Sequence, residues 1–153
     1  MPTVAGLGKN GPQAIGRSRG GWTSKLHMVA ISCRDALLWS LTPGQSGDAP
    51  EGCKLIEAMG SQDAMVYLLM DSAYEGDGTP AAALVRNFVP VVPAHPQRKH
   101  PWSLDKHRYR QRNEVERLFR RIKAYRRVFT RYDKLDMMFA AFVSIALICE
   151  HLR

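Results

Sequence analysis

Met65-Val66-Tyr67-Leu68-Leu69-Met70, followed at once by Asp71-Ser72-Ala73-Tyr74, is the stretch on which the fold turns. Six apolar side chains in succession, too few for an ordinary helix and bounded by polar residues, predict a fully buried strand. A carboxylate directly after such a strand stands at its carboxyl end, where open α/β sheets bind ligands. Aspartates at strand ends also form turns and helix caps, so Asp71 by itself carries two readings.

Working outward, Lys25–Ser32 and Ala36–Leu41 read as two strands joined by a turn at Arg34-Asp35 and closed by Thr42-Pro43-Gly44, a hairpin. Asp48 caps a helix with Pro50 and Glu51 in its first turn; it runs to Met59, and Gly60 takes the C-cap position. Pro80–Asn87 reads as a helix and Phe88–Val92 as a strand, with Pro90 marking a strand start or an edge. A proline-rich loop covers 93–104, and helices follow over Asp105–Tyr125 and Leu135–Leu152. In the last of these, Met137, Met138, Phe139, Phe142, Ile145 and Ile148 are expected to close the core. The order β-β-α-β-α-β-α-α is a mixed α/β domain. Residues 1–23 read as an irregular Gly/Arg-containing leader, and 24–153 as the domain itself. The Gly6, Gly8, Gly11 spacing matches GxGxxG, but no strand precedes it, which excludes a dinucleotide site.

A chain of 153 residues with 45% hydrophobic side chains supports one domain with a real core and excludes global disorder. Cys33, Cys53 and Cys149 show no CxxC and make neither a disulfide framework nor a zinc site. The five histidines lack metal-ligand spacing, and Trp22, Trp39 and Trp102 are expected to pack the sheet or anchor loops. The N-terminal stretch has no apolar core of a signal peptide. The longest apolar run, 137–149, falls short of the roughly 20 residues that span a bilayer. A cytoplasmic protein is therefore expected.

The net charge of +8 is uneven. Arg98–Lys134 holds 14 Lys and Arg against four acids, and the remainder is slightly acidic. Such a segment reads either as a solvated face or as a surface on which Lys and Arg displace the counterions of nucleic acid. RNP-type aromatics and a KH loop are missing, which argues against an RNA-binding module. Within it, Tyr109, Arg112, Glu116, Arg120 and Lys123 fall inside an arc of about 80° on an ideal helix, opposite Val115, Leu118 and Ile122. Glu116 thus sits in a basic stripe, with Arg112 four residues before and Arg120 four after. This is either an ion-pair ladder worth a few tenths of a kcal/mol per pair, or a metal ligand among phosphate contacts that must meet a second acid such as Asp71.

The spacing Tyr109-x2-Arg112-x3-Glu116-x6-Lys123 resembles the Tyr-Arg-Glu-Lys signature of DDE transposases of bacterial insertion sequences, and more narrowly the insertion-sequence-5-type group with an IS4-like DDE domain. Further blocks agree in order: Gly16-Arg17-Ser18-Arg19-Gly20-Gly21-Trp22-Thr23-Ser24-Lys25-Leu26-His27, Pro43-Gly44-Gln45 with Asp48, Asp71-Ser72-Ala73-Tyr74, and Arg126-Arg127 with Thr130-Arg131-Tyr132-Asp133-Lys134-Leu135.

The resemblance implies a ribonuclease-H-like fold, a mixed sheet flanked by helices. It implies a polynucleotidyl transferase in which two Mg²⁺ or Mn²⁺ ions, held by three carboxylates, cleave transposon-end DNA before strand transfer into target DNA. By position, Asp71 is the second acid and Glu116 the third, and both are metal ligands. Tyr109, Arg112 and Lys123 hold end DNA, with Arg120 as a further DNA contact and Arg17, Arg19, Arg126, Arg127 and Arg131 as weaker candidates for backbone contact. The family's first aspartate lies on a strand upstream of the Gly-Arg-Ser-Arg-Gly-Gly block. The leader has no Asp or Glu, and Asp35 and Asp48 follow that block. The sequence therefore resembles an N-terminally incomplete domain, lacking its first strand and inactive alone. It would be the downstream product of two reading frames joined by frameshifting, with the upstream product as partner, or a remnant. A homodimer in a DNA complex is expected. The alternative is a non-catalytic DNA-binding regulator of transposition.

Overall fold

The computed structural model describes residue 11 and residues 13–153. Gly6 and Gly8 of the leader lie outside the described residues. The chain runs through β1 (Gly16–Ser18), β2 (Gly21–Ala30), β3 (Ala36–Pro43), α1 (Asp48–Met59), β4 (Val66–Leu69), α2 (Gly78–Leu84), β5 (Phe88–Val91), α3 (Lys106–Tyr109), α4 (Asn113–Lys123), α5 (Arg126–Phe129) and α6 (Asp136–His151). Two units result, one of residues up to Ser46 with Glu116–Arg153, the other of Gly47–Val115.

In the first unit, alternating apolar residues build the expected antiparallel hairpin of β2 and β3, with Leu26 opposite Leu41 and Met28 opposite Trp39. The structure corrects the leader: β1 pairs with β2 in register Gly16 to Thr23, so strand structure begins inside the 1–23 segment. Its packing is in part long-range. Gly16 lies against Gln45, where any Cβ would overlap that side chain, and a Cβ on Gly44 would stand 2.1 Å from Thr23 Oγ1. The Gly-Arg-Ser-Arg-Gly-Gly and Pro-Gly-Gln blocks are thus neighbours in space.

The hairpin packs beneath Leu118 and Ile122 of α4 and Phe139, Val143, Ala146 and Leu147 of α6. Burying each large aliphatic side chain contributes about 1.5–3 kcal/mol. Arg131 fastens this layer, donating to Ser24 Oγ at 2.6 Å, Asp136 Oδ1 at 2.7 Å and the Lys134 carbonyl at 2.9 Å. Buried Glu150 accepts from Tyr125 Oη and Arg153 Nη1, each at 3.0 Å, with Arg121 Nη1 at 3.7 Å. Two expectations fail here. Trp22 is exposed rather than packed. On α6 only one stripe is buried: Met137, Met138, Ile145 and Ile148 face outward, because a single helix face meets the sheet.

In the second unit β4 and β5 form a parallel pair, Val66 beside Phe88 and Leu69 beside Val91, connected through α2. Proline at 90 fits a strand paired on one side. The core is Ile56, Met70, Ala83, Phe88 and Val92. α1 begins and ends near the expected residues, with Gly60 at φ +70° ending it, but its N-cap is Gly47 and not Asp48. The expectation of a fully buried β4 is corrected: Val66 and Tyr67 are each 43% exposed, and burial is reached only at Met70. Among the described residues β4 pairs with β5 alone, which leaves its other edge open.

Candidate active site and nucleic-acid interface

Asp71 follows β4 and turns the chain into a short 3-10 turn, Ser72–Tyr74. Its Oδ1 accepts from the Ser72 main-chain N–H at 2.5 Å and the Ser72 hydroxyl at 3.1 Å. The capping role foreseen for a strand-end aspartate is therefore real. It uses one carboxylate oxygen. The other, Oδ2, lies 3.5 Å from Arg112 Nη1, and the Asp71 side chain remains 53% exposed. Asp71 is thus fixed in place and still open on its outer side.

The expected continuous helix over Asp105–Tyr125 is broken. α3 is capped by Asp105, whose Oδ1 accepts from the Arg108 N–H at 3.0 Å; a 3-10 turn covers Arg110–Arg112, and α4 starts only at Asn113. The tighter turn rotates Tyr109 and Arg112 away from their ideal-helix bearings, since 3-10 geometry advances about 120° per residue. Arg112 keeps its guanidinium 5.5 Å from the Tyr109 ring centroid. Asp71, Tyr109 and Arg112 all belong to the second unit, and the fold brings these three together.

Glu116, Arg120 and Lys123 lie on α4 within the first unit, spaced four and three residues apart and so on one face. Leu118 and Ile122 on the opposite face are fully buried, which fixes how α4 is turned. Glu116 is partly buried, and Arg120 and Lys123 are exposed. Arg126 and Arg127 of α5 are exposed as well. Arg126 Nε donates to Tyr132 Oη at 3.3 Å, and Arg127 Nη1 stands 3.5 Å from Asp133 Oδ1. Arg17 on β1 and Arg19 in the β1–β2 turn are exposed. Arg131, one of the weaker candidates, is mostly buried, and its donors are engaged within the fold.

Sequence reasoning passed over Tyr74. Burial pushes its phenol up to about 12, with Asp48, Asp71 and Glu51 adding to the shift. Its ring lies against Gly52, where a Cβ would come within 2.6 Å. Among the described residues no group of three or more His, Cys, Asp or Glu side chains gathers as a metal site. No helix of the described residues is long and apolar enough to cross a membrane.

Comparison with known proteins adds an independent line. The chain is 29% identical over 133 residues to a Brucella ovis protein described as "Putative transposase for insertion sequence element IS6501", an alignment covering 86% of this chain and 99% of that protein. No solved structure matches the chain. Residues 11–149 match the family described as "Transposase DDE domain", and to that family, the transposases of insertion sequences, the chain belongs.

Proposed function

We propose that the chain is a ribonuclease-H-like catalytic domain of the insertion-sequence-5-type group, which binds transposon-end DNA and takes part in its metal-dependent cleavage and transfer to target DNA. One observation carries this: the strand-end carboxylate of Asp71 and the guanidinium of Arg112, 41 residues apart in sequence, are paired at 3.5 Å. Arg112 belongs to the Tyr-Arg-Glu-Lys run and Asp71 to the block holding the second acid.

Asp71 and Glu116 are the residues that would hold Mg²⁺ or Mn²⁺. Their hard carboxylate oxygens suit those ions rather than softer metals. Bound there, such ions would activate water and stabilise the leaving oxygen of the cleaved phosphate. Tyr109, Arg112 and Lys123 position the end through its backbone, which fixes register without reading sequence. Arg120, Arg126, Arg127, Arg17 and Arg19 extend the phosphate contacts. In the family's manner, its first aspartate would complete the set as a third carboxylate. The protein works in the cytoplasm at the nucleoid, as a homodimer on DNA.

The test is nicking of end-containing duplex in Mg²⁺ by the chain supplemented with a polypeptide that carries the family's first aspartate. Asp71→Ala and Glu116→Ala each abolish nicking and leave duplex affinity unchanged. A mutant that nicks at the parental rate removes its carboxylate from the assignment. A second reading is supported by the exposed Arg120, Lys123, Arg126 and Arg127, which need no carboxylates to bind phosphate. A chain that binds ends yet never nicks, even when supplemented, is a regulator of transposition.

A further inference from the structure

Helix α6 carries no charged residue between Met137 and Cys149, and a helix that is apolar all round is ordinarily covered on every side. Here Phe139, Val143, Ala146 and Leu147 face the β2–β3 hairpin, and the opposite side is open. Met138, Ala141, Ile145, Ile148 and Leu152 lie on that open side, at alternating steps of three and four residues. This is the spacing of a coiled-coil seam. Ile145 is 54% exposed and Ile148 57%.

The two ends of the stripe are unlike. At the C-terminal end Ile148 and Leu152, with Ile31 of the β2–β3 turn, line a cavity of about 490 Å³. Arg34, Asp35 and His151 also line it, the last two bonded to each other at 2.5 Å, and polar groups of this kind suit the rim of an interface. At the N-terminal end Met137 and Met138 project from the surface. Methionine is unbranched and polarizable and fills irregular gaps. A second identical stripe laid antiparallel on the first brings the methionines of each copy to the cavity of the other, twice, about a two-fold axis. Laid parallel, methionines would meet methionines and cavity would meet cavity.

The area agrees with a second copy. Ile31, Met137, Met138, Ile145, Ile148 and Leu152 together expose on the order of 700 Å². That exceeds the roughly 300–600 Å² of the largest patch on an ordinary monomer. It approaches the roughly 800 Å² per partner that a specific interface buries.

We infer that α6 is an interface between two copies of this chain, packed antiparallel along the Met138–Leu152 stripe, with the methionines of each copy seated in the Ile31–Ile148–Leu152 cavity of the other. This deepens the homodimer reading above, on which it rests for the copy number, and it uses no residue assigned to metal or DNA.

The test is sedimentation velocity on the full chain without DNA, at tens of micromolar. The parent sediments at twice 17.2 kDa. Ile145→Glu and Ile148→Glu each associate at least about a hundredfold more weakly, because each sets two like charges in a dry seam. Their far-ultraviolet circular dichroism matches the parent's, since both side chains are exposed in the single copy. Val85→Glu, at an equally exposed apolar position off the stripe, leaves association unchanged. With the native cysteines replaced by alanine, Met138→Cys chains mixed with Leu152→Cys chains form a crossed disulfide, and Met138→Cys chains alone form none. A monomeric parent overturns the proposal, as do glutamate variants that associate like the parent or a Met138→Cys chain that cross-links to itself. A chain that pairs only on end DNA, and does so equally with Ile145→Glu, overturns the α6 seam and leaves the homodimer reading standing.

Discussion

Arg112 Nη1 stands 3.5 Å from Asp71 Oδ2, and four residues earlier on the same helical run Arg108 lies over Tyr67, four residues before Asp71. The segment 106–112 therefore lies along β4 with a repeated match, arginine to aromatic and then arginine to carboxylate. The second match balances a strand-end carboxylate with a cation that has five donors in a planar fork, the geometry that also engages phosphate.

The Asp71–Arg112 pair is partly solvent-exposed, so its contribution to folding is small, about 0–1 kcal/mol. Arg112→Ala is expected to shift the denaturant midpoint within that range while lowering nicking of end DNA in the supplemented assay by at least about tenfold. Arg112→Lys restores charge without the fork and recovers little of the rate. Chemical denaturation beside single-turnover nicking checks this. A large loss of stability with unchanged nicking would make the pair structural.

Lys123 is exposed at the end of α4, on the face shared with Glu116 and Arg120. If it contacts an end phosphate, Lys123→Ala reduces the slope of log affinity against log salt by about one unit, and weakens binding evenly across sequences. Titrations at several potassium chloride concentrations give the slope. An unchanged slope removes Lys123 from the contacts.

Local patterning was enough for the β2–β3 hairpin, for the ends of α1 and α6, and for the core face of α4, because period and punctuation decide those features within a few residues. The burial of β4 was not legible. A run from Met65 to Met70 looks the same whether covered on one face or two, and only the exposure of Val66 and Tyr67 in the fold distinguishes them. The break at Arg110–Arg112 was hidden for a related reason: those side chains suit an α-helix as well as a 3-10 turn, and the contacts of Arg108 and Arg112 exist only in the fold. β1 was missed because Gly16-Arg17-Ser18 carries no alternating apolar pattern, and the side chain packed on Gly16 is that of Gln45, far along the chain. At the candidate site, Asp71 was legible from the strand before it. Its cap to Ser72 and the burial of Tyr74 were not.

Gly52 on α1 is buried against the Tyr74 ring, and a Cβ there would lie 2.6 Å from Tyr74 Cε1. In a solvent-facing helix, Gly→Ala stabilises by up to about 1 kcal/mol. Here overpacking opposes it at a cost of about 1–3 kcal/mol. Gly52→Ala is therefore expected to lower the melting temperature, and Gly52→Ala with Tyr74→Leu to recover part of it. Calorimetry on the two variants and the parent decides. A stabilised Gly52→Ala would show that Tyr74 moves aside freely.

Asp35, in the β2–β3 turn, accepts from the Ser32 hydroxyl and from His151 of α6, each at 2.5 Å. The Ser32 bond first, and then His151, hold its carboxyl below the ordinary value near 3.8. A carboxyl depressed in the folded state stabilises the fold above its unfolded value, and this is lost as pH falls through the folded value. The parent should therefore be more stable than Asp35→Asn at neutral pH, with the gap closing as pH falls below the ordinary carboxylate value. The group is exposed, so the gap is small and salt reduces it. Thermal melts of both proteins from neutral to strongly acidic pH measure the gap directly. A gap that stays constant across the acid range would show that hydrogen-bond geometry alone, without the charge of Asp35, ties the turn to the end of α6.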